Sequence, residues 1–165
     1  MRDRLFFPLA FILASSFILM ALNPFVERVP TGPVSAGAGN AEDVTVQDRE
    51  LRRFQPGNYD SIRFVEASGE TPAAIQITRQ ATEDYQDPRS GPHLVFAEDI
   101  EFAMQHRRIQ IDIEARGSGE FAASQFEANY FAKTENETGW KPFDLTTEFQ
   151  TYRFTFEAPQ RGETV

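Results

Sequence analysis

No cysteine occurs among the 165 residues. Disulfides, thiol nucleophiles and thiolate-held metals are therefore excluded. The compartment stays open, because an exported domain can fold without bridges. Histidine is nearly as scarce: His93 and His106 are the two present, too few for a His-rich metal site and outside any H-E-x-x-H spacing. Positive charge is also in short supply, with a formal net charge of -9. Setting aside residues 1–28, which hold three Arg, one Asp and one Glu, leaves 13 basic against 23 acidic side chains. Binding to a phosphate backbone needs clustered Lys and Arg, so the charge balance argues against nucleic acid as a partner and none is expected. A nucleophile elbow, a phosphate-cradling glycine loop and a dinucleotide fingerprint are all missing. With 25 acidic residues in the chain, no pair of carboxylates stands out as glycosidase machinery. No catalytic residue, no metal ligand and no cofactor is assigned, and the chain is read as a non-enzyme.

One feature is abundant where the rest is sparse: Leu5 to Leu22, LFFPLAFILASSFILMAL, runs eighteen residues without a charge. As a helix it would be about 27 Å long at 1.5 Å per residue, enough for the hydrocarbon core of a bilayer. Pro24, Phe25 and Val26 extend it, so residues 5–26 are the expected contact with lipid. Arg2 and Arg4 precede the run and only Arg28 closely follows it. That asymmetry predicts a single pass with the N-terminus cytoplasmic and the rest across a bacterial-type inner membrane, in the periplasm. A cleaved signal peptide is the rival reading. Its small-x-small site should directly follow the apolar run, yet Leu22, Asn23, Pro24 and Phe25 stand there. The sequence divides accordingly into an anchor over 1–28, a flexible linker over 29–42 (small, Gly-rich and broken by Pro) and a β-sandwich domain over 43–165.

Residues 42–54 mix strand and helical signals and stay open between them. From Ser61 short strands recur. Ile62 and Phe64 lie in one closed by Ser68-Gly69, and Ile75 and Ile77 alternate with polar residues in the next. Asp84 to Pro92 reads as a turn-rich loop. His93 to Phe102 carries Leu94, Phe96, Ile100 and Phe102 around an acidic kink at Glu98-Asp99. Arg108 to Ala115 is the clearest strand, with Ile109, Ile111 and Ile113 on one face. Ser124 to Lys133 sets Phe126, Ala128, Tyr130 and Ala132 against Gln125, Glu127, Asn129 and Phe131. In the last stretch Tyr152, Phe154 and Phe156 alternate with Thr151, Arg153, Thr155 and Glu157. A one-residue slip there would drive Arg153 and Glu157 into the core, so the register is well specified. The pattern predicts an all-β fold with no amphipathic helix after residue 54.

The segments RRIQIDIEARG, NYF and GWKPFDLTTEFQTYRFTFEAP, in that order, resemble the carbohydrate-binding-module-like (galactose-binding-like) jelly-roll β-sandwiches. Phe149 stands where that family commonly has Trp. The resemblance implies a jelly-roll β-sandwich behind the single N-terminal transmembrane helix, with a further strand or two normally following the final Pro. An edge left open would offer N–H and C=O groups to another chain. It also implies a test for sugar binding, which on this fold uses solvent-facing aromatic rings flanked by carboxylates and amides. The candidate ligand-binding residues are Glu127, Asn129, Phe131 and Trp140. Most other aromatics fall on inward faces. The resemblance also offers Glu98, Asp99 and Glu101 as calcium ligands, for which an exposed acidic loop is the plainer reading. Asn136-Glu137-Thr138 matches a glycosylation acceptor and reads first as a turn.

These observations lead to two expectations. The first is a non-catalytic, membrane-anchored accessory subunit whose periplasmic β-sandwich docks on a larger integral membrane protein complex. The alternative is a tethered module recognising envelope glycans.

Overall fold

A computed structural model describes residues 11–18, 29–37, 39–58, 60–79, 90–132 and 137–158. Six strands dominate: β1 (Asp60–Val65), β2 (Ala74–Arg79), β3 (Arg108–Ala115), β4 (Gln125–Ala128), β5 (Lys141–Asp144) and β6 (Gln150–Glu157). A 3-10 turn over Asp48–Arg53 precedes them, and one short helix, α1 (Glu98–Met104), lies between β2 and β3. The fold is β-rich, as the alternating patterns predict. Its strands form three antiparallel ribbons, β1–β2, β3–β6 and β4–β5.

The β3–β6 ribbon carries the core. Its register sets Ile109 opposite Phe156, Ile111 opposite Phe154 and Ile113 opposite Tyr152. Tyr152, Phe154 and Phe156 are buried while Thr151, Arg153, Thr155 and Glu157 are exposed. Period-2 alternation on both strands puts every large apolar group on one face, and each buried aromatic contributes about 1.5–3 kcal/mol. The β4–β5 hairpin lies across that face. Phe126 and Phe143 stack at 5.1 Å, and each approaches Tyr152, at 5.2 and 5.7 Å. Tyr130 stacks on Phe156 at 4.8 Å. The two ribbons thus enclose an aromatic core between them.

Three sequence expectations need correction. The stretch from His93 to Phe102 runs into a helix, where the sequence predicts an acidic kink and no amphipathic helix after residue 54. Ile100 and Met104 are one turn apart and point to the same side, and Ile100 is completely buried. Glu98, Asp99 and Glu101 occupy the first turn, where carboxylates favour the helix dipole. Local charge placement and an i, i+4 apolar pair outweigh the alternation. Gln105 ends the helix, and His106 takes a left-handed φ of 57° to redirect the chain into β3.

Part of the expected flexible linker is docked. Val34 is buried and bridges Phe96 in parallel, its N–H donating to the Val95 carbonyl and its own carbonyl accepting from Ala97, both at 2.7 Å. Arg53 donates to the carbonyls of Thr31 and Pro33 at 2.7 and 3.0 Å, and Asp99 accepts from Ser35 Oγ and the Ala36 N–H at 2.7 and 2.9 Å. Small residues let the backbone lie flat, and one valine supplies the anchor. The third correction is minor: the strand expected over Ser124 to Lys133 ends at Ala128, because the chain folds back through a side-chain network around Asn129.

Of the apolar run Leu5 to Leu22, residues 11–18 are described. They are helical, with the Ser16 hydroxyl donating to the Ile12 carbonyl at 2.8 Å. Among the described residues no helix is long and apolar enough to cross a membrane. The rest of the run, the loop from Asp84 to Arg89 and the Asn136 acceptor lie outside the described residues.

Candidate functional site

β4 ends at Ala128, and the chain returns at Glu137 to enter β5. Four of these residues close the corner by hydrogen bonds. The Asn129 amide donates to Glu137 Oε2 at 3.0 Å, and its carbonyl oxygen accepts from Thr138 Oγ1 at 3.0 Å. The Tyr130 N–H donates to that same hydroxyl at 3.2 Å, and the Thr138 N–H donates to the Tyr130 carbonyl at 3.1 Å. Phe131 bridges Glu137 beside this turn and meets Trp140 edge to face, ring centres 5.9 Å apart at 68°.

Three of the four predicted site residues, Asn129, Phe131 and Trp140, are therefore gathered at one corner, all half-buried. Glu127 is exposed on β4 opposite Pro142. The gathered residues do not present a flat aromatic platform, because each ring turns an edge or face toward the other. Asn129 uses its carbonyl oxygen and an amide N–H inside the turn, so its first role is to shape the chain. The arrangement supports a small aromatic contact bordered by polar groups.

Sequence reasoning missed a second concavity. The 3-10 turn packs near β1 and leaves an open cleft of about 480 Å³, lined by Gln47, Asp48, Glu50, Phe64 and Glu66 among others. Arg52 stands at its margin, its guanidinium 4.0 Å from the Phe64 ring centre and bonded to Glu66 at 2.8 Å. A cation over an aromatic face with a carboxylate partner is a stable surface arrangement. The available signal was the run Asp48 to Arg53, whose charges stayed open between helix and strand.

Two carboxylates, Asp112 and Asp99, are engaged by structural partners. Arg153 binds Asp112 across β3 and β6 through Nε and Nη2, both at 2.7 Å. These hydrogen bonds hold the Asp112 carboxyl below its ordinary range and raise the guanidinium correspondingly. Asp99 is likewise held low, chiefly by the Ser35 hydroxyl and then by backbone N–H groups. That occupation takes up the oxygens a cation would need. Among the described residues no group of three or more His, Cys, Asp or Glu side chains is placed to hold a metal ion. Tyr130 titrates above its usual range, raised by burial and then by the charge of Glu101.

No protein-family model matches the chain, and no curated protein or solved structure does so either.

Proposed function

We propose that the chain is a membrane-anchored, non-catalytic accessory subunit, its β-rich body held on the periplasmic side and docked on a larger inner-membrane protein complex. The observation that carries this reading is the helical stretch 11–18. Its large apolar side chains Phe11, Ile12, Leu13, Phe17 and Ile18 are between 55% and 74% exposed. A helix apolar all round is stable only when buried, in protein or in lipid. Nothing else in the described chain covers this one, and the charge-free run around it has the length of a bilayer core. The Arg excess before the run supports the stated orientation. Facing ribbons around an aromatic core support the finer reading of the body as a jelly-roll sandwich, in line with the resemblance drawn from its sequence.

Extraction of the full chain from membranes in mild detergent, followed by sizing and identification of co-purifying chains, tests the proposal. A stable particle containing other membrane proteins is expected. Recovery of this chain alone would overturn the accessory role, and recovery in the soluble fraction with its first residues removed would overturn the anchor.

The glycan reading keeps one specific support, the Phe131–Trp140 corner with Glu127 on the adjoining strand. Its test is a glycan array with a soluble form beginning at residue 29, because Val34 belongs to the packed body. Binding abolished by Trp140→Ala would favour it, and silence across envelope polysaccharides would remove it.

A further inference from the structure

We propose that β6 is the self-association edge of this protein, pairing antiparallel with β6 of a second copy about a two-fold axis through Thr155. The Ala158 N–H donates to the Arg107 carbonyl at 2.9 Å, and these residues continue the β3–β6 register, in which Arg108 faces Glu157. Hydrogen-bonded pairs alternate along an antiparallel ladder. So residues 152, 154, 156 and 158 direct their N–H and C=O groups toward β3, whereas Thr151, Arg153, Thr155 and Glu157 direct theirs away. Among the described residues β6 has β3 as its one strand partner. Such a row of unpaired donors and acceptors is a template for another strand.

The sequence of that edge selects a second copy as its occupant. In a two-fold pairing centred on Thr155, Arg153 faces Glu157 of the other copy, and Glu157 faces the other Arg153. Thr155 then meets its own mate. These three pairs present the outward backbone groups to one another, so each closes two N–H···O=C bonds. On the inner face Phe154 comes opposite Phe156 of the second copy, continuing the apolar layer across the axis. No other two-fold centre within the strand pairs this arginine with this glutamate. A centre on Arg153 sets Arg against Arg, and a centre on Phe154 or Phe156 leaves both charges facing threonine or the strand end.

The two charged side chains have capacity for these contacts, and Thr155 accepts only a long bond from Arg108, at 3.5 Å. Arg153 spends Nε and Nη2 on Asp112, leaving Nη1 for a second carboxylate. Among the described residues Glu157 forms no ion pair. The outer edge of β3 is the competing surface, and it is disfavoured at its centre. Pairing it about Ile111 would match Arg108 with Glu114, but would bring Asp112 diagonal to Asp112 across the axis, within reach of like-charge repulsion. An edge that matches itself under a two-fold rotation yields a closed dimer.

The absence of cysteine makes the test direct. In the full chain in detergent, Thr155→Cys places one thiol on the axis, facing its mate with Cα atoms about 5.5 Å apart, a separation a disulfide accommodates. Under mild oxidation most of the Thr155→Cys protein is expected to run as a covalent dimer, whereas Thr151→Cys, equally exposed but off the axis, stays largely uncrosslinked. Glu157→Lys reverses both interstrand ion pairs and is expected to weaken the non-covalent dimer by about tenfold or more, read by sedimentation equilibrium. The Arg153–Asp112 bond remains in that variant and circular dichroism checks its fold. Equal crosslinking at 151 and 155, absence of crosslinking at 155, or a dimer indifferent to Glu157→Lys would each overturn the proposal.

Discussion

Phe154 sits at the centre of the β3–β6 ribbon, opposite Ile111, with Phe143 and Phe156 both 6.1 Å from its ring centre. Truncation to alanine leaves a cavity walled by the Phe143 and Phe156 rings and by Ile111, on three different strands that cannot all close in. Phe154→Ala is expected to lower folding stability by about 3–5 kcal/mol, measured by chemical denaturation. Thr155→Ala, one residue away on the exposed face, should change it by less than about 0.5 kcal/mol. A comparable loss at both positions would mean that the alternation does not define the core. Titration supplies a second residue-scale expectation. The folded protein holds the Tyr130 phenol above its ordinary value of 10.0. Above that pH the unfolded chain has lost the proton that the folded chain keeps, so stability falls as pH rises. In Tyr130→Phe that alkaline decline should become shallower. The opposite sign applies to Asp112, whose carboxyl is held below 3.8 by Arg153. Its contribution is present above that value and is lost as pH falls through the folded value, so the acid decline should be reduced in Asp112→Asn.

Among the elements, the strands were legible where both neighbours in sequence and neighbours in space asked for the same face. Arg108–Ala115 and the alternation of Tyr152, Phe154 and Phe156 could be read directly because a one-residue shift would bury charge. Helix α1 is hard to see in the sequence, although Phe96, Ile100 and Met104 recur every four residues, because the acidic pair Glu98-Asp99 reads equally well as a bend. The docked segment 31–36 was not legible at all. Its composition describes a tether, and only the spatial neighbours Phe96, Arg53 and Asp99, distant in sequence, give it a seat. The candidate site divides in the same way: Phe131 and Trp140 could be nominated as aromatics outside the core, whereas the turn linking Asn129 to Thr138 depends on a return of the chain that no local pattern announces. If Asp99 is the clasp for the docked segment, Asp99→Ala should raise amide exchange at Val34 and Ala36 while leaving β3 and β6 protected. Unchanged exchange at both amides would show that Val34 packing suffices. Gly57 is a second element-scale constraint. A Cβ there would lie 2.1 Å from the Ser90 carbonyl oxygen, backbone that the Asn58 N–H also contacts at 2.9 Å. Gly57→Ala must therefore separate the two segments, and a lowered midpoint in thermal unfolding is the expected result.

At the scale of the whole molecule, the docked segment limits how far the body can stand from a bilayer under the proposed anchoring. Val34 is fixed to Phe96, and eight residue steps separate it from Val26, at most about 29 Å at full stretch. Phe96, the seat of Val34, leads into α1 and packs on the cluster of Tyr130, Phe154, Phe156 and Ala158, and Ala158 is bonded to Arg107 at the start of β3. The loop after β3, with Phe121 92% exposed, follows the far end of that eight-residue strand. The end bearing Val34 is therefore the one drawn toward the membrane, and the Phe121 loop is the one carried away from it. Single cysteines at Thr31, whose side chain is exposed and whose carbonyl alone meets Arg53, and at Phe121 in the full chain, labelled with a donor dye and reconstituted in nanodiscs with acceptor lipid, give a direct comparison. Transfer is expected to be the stronger from position 31. Equal transfer from both would mean that the segment undocks or the body lies flat, and stronger transfer from 121 would reverse the orientation. A flexible linker alone, free over residues 29–42, would average these distances and predict no consistent difference, so the measurement separates a seated body from a swinging one.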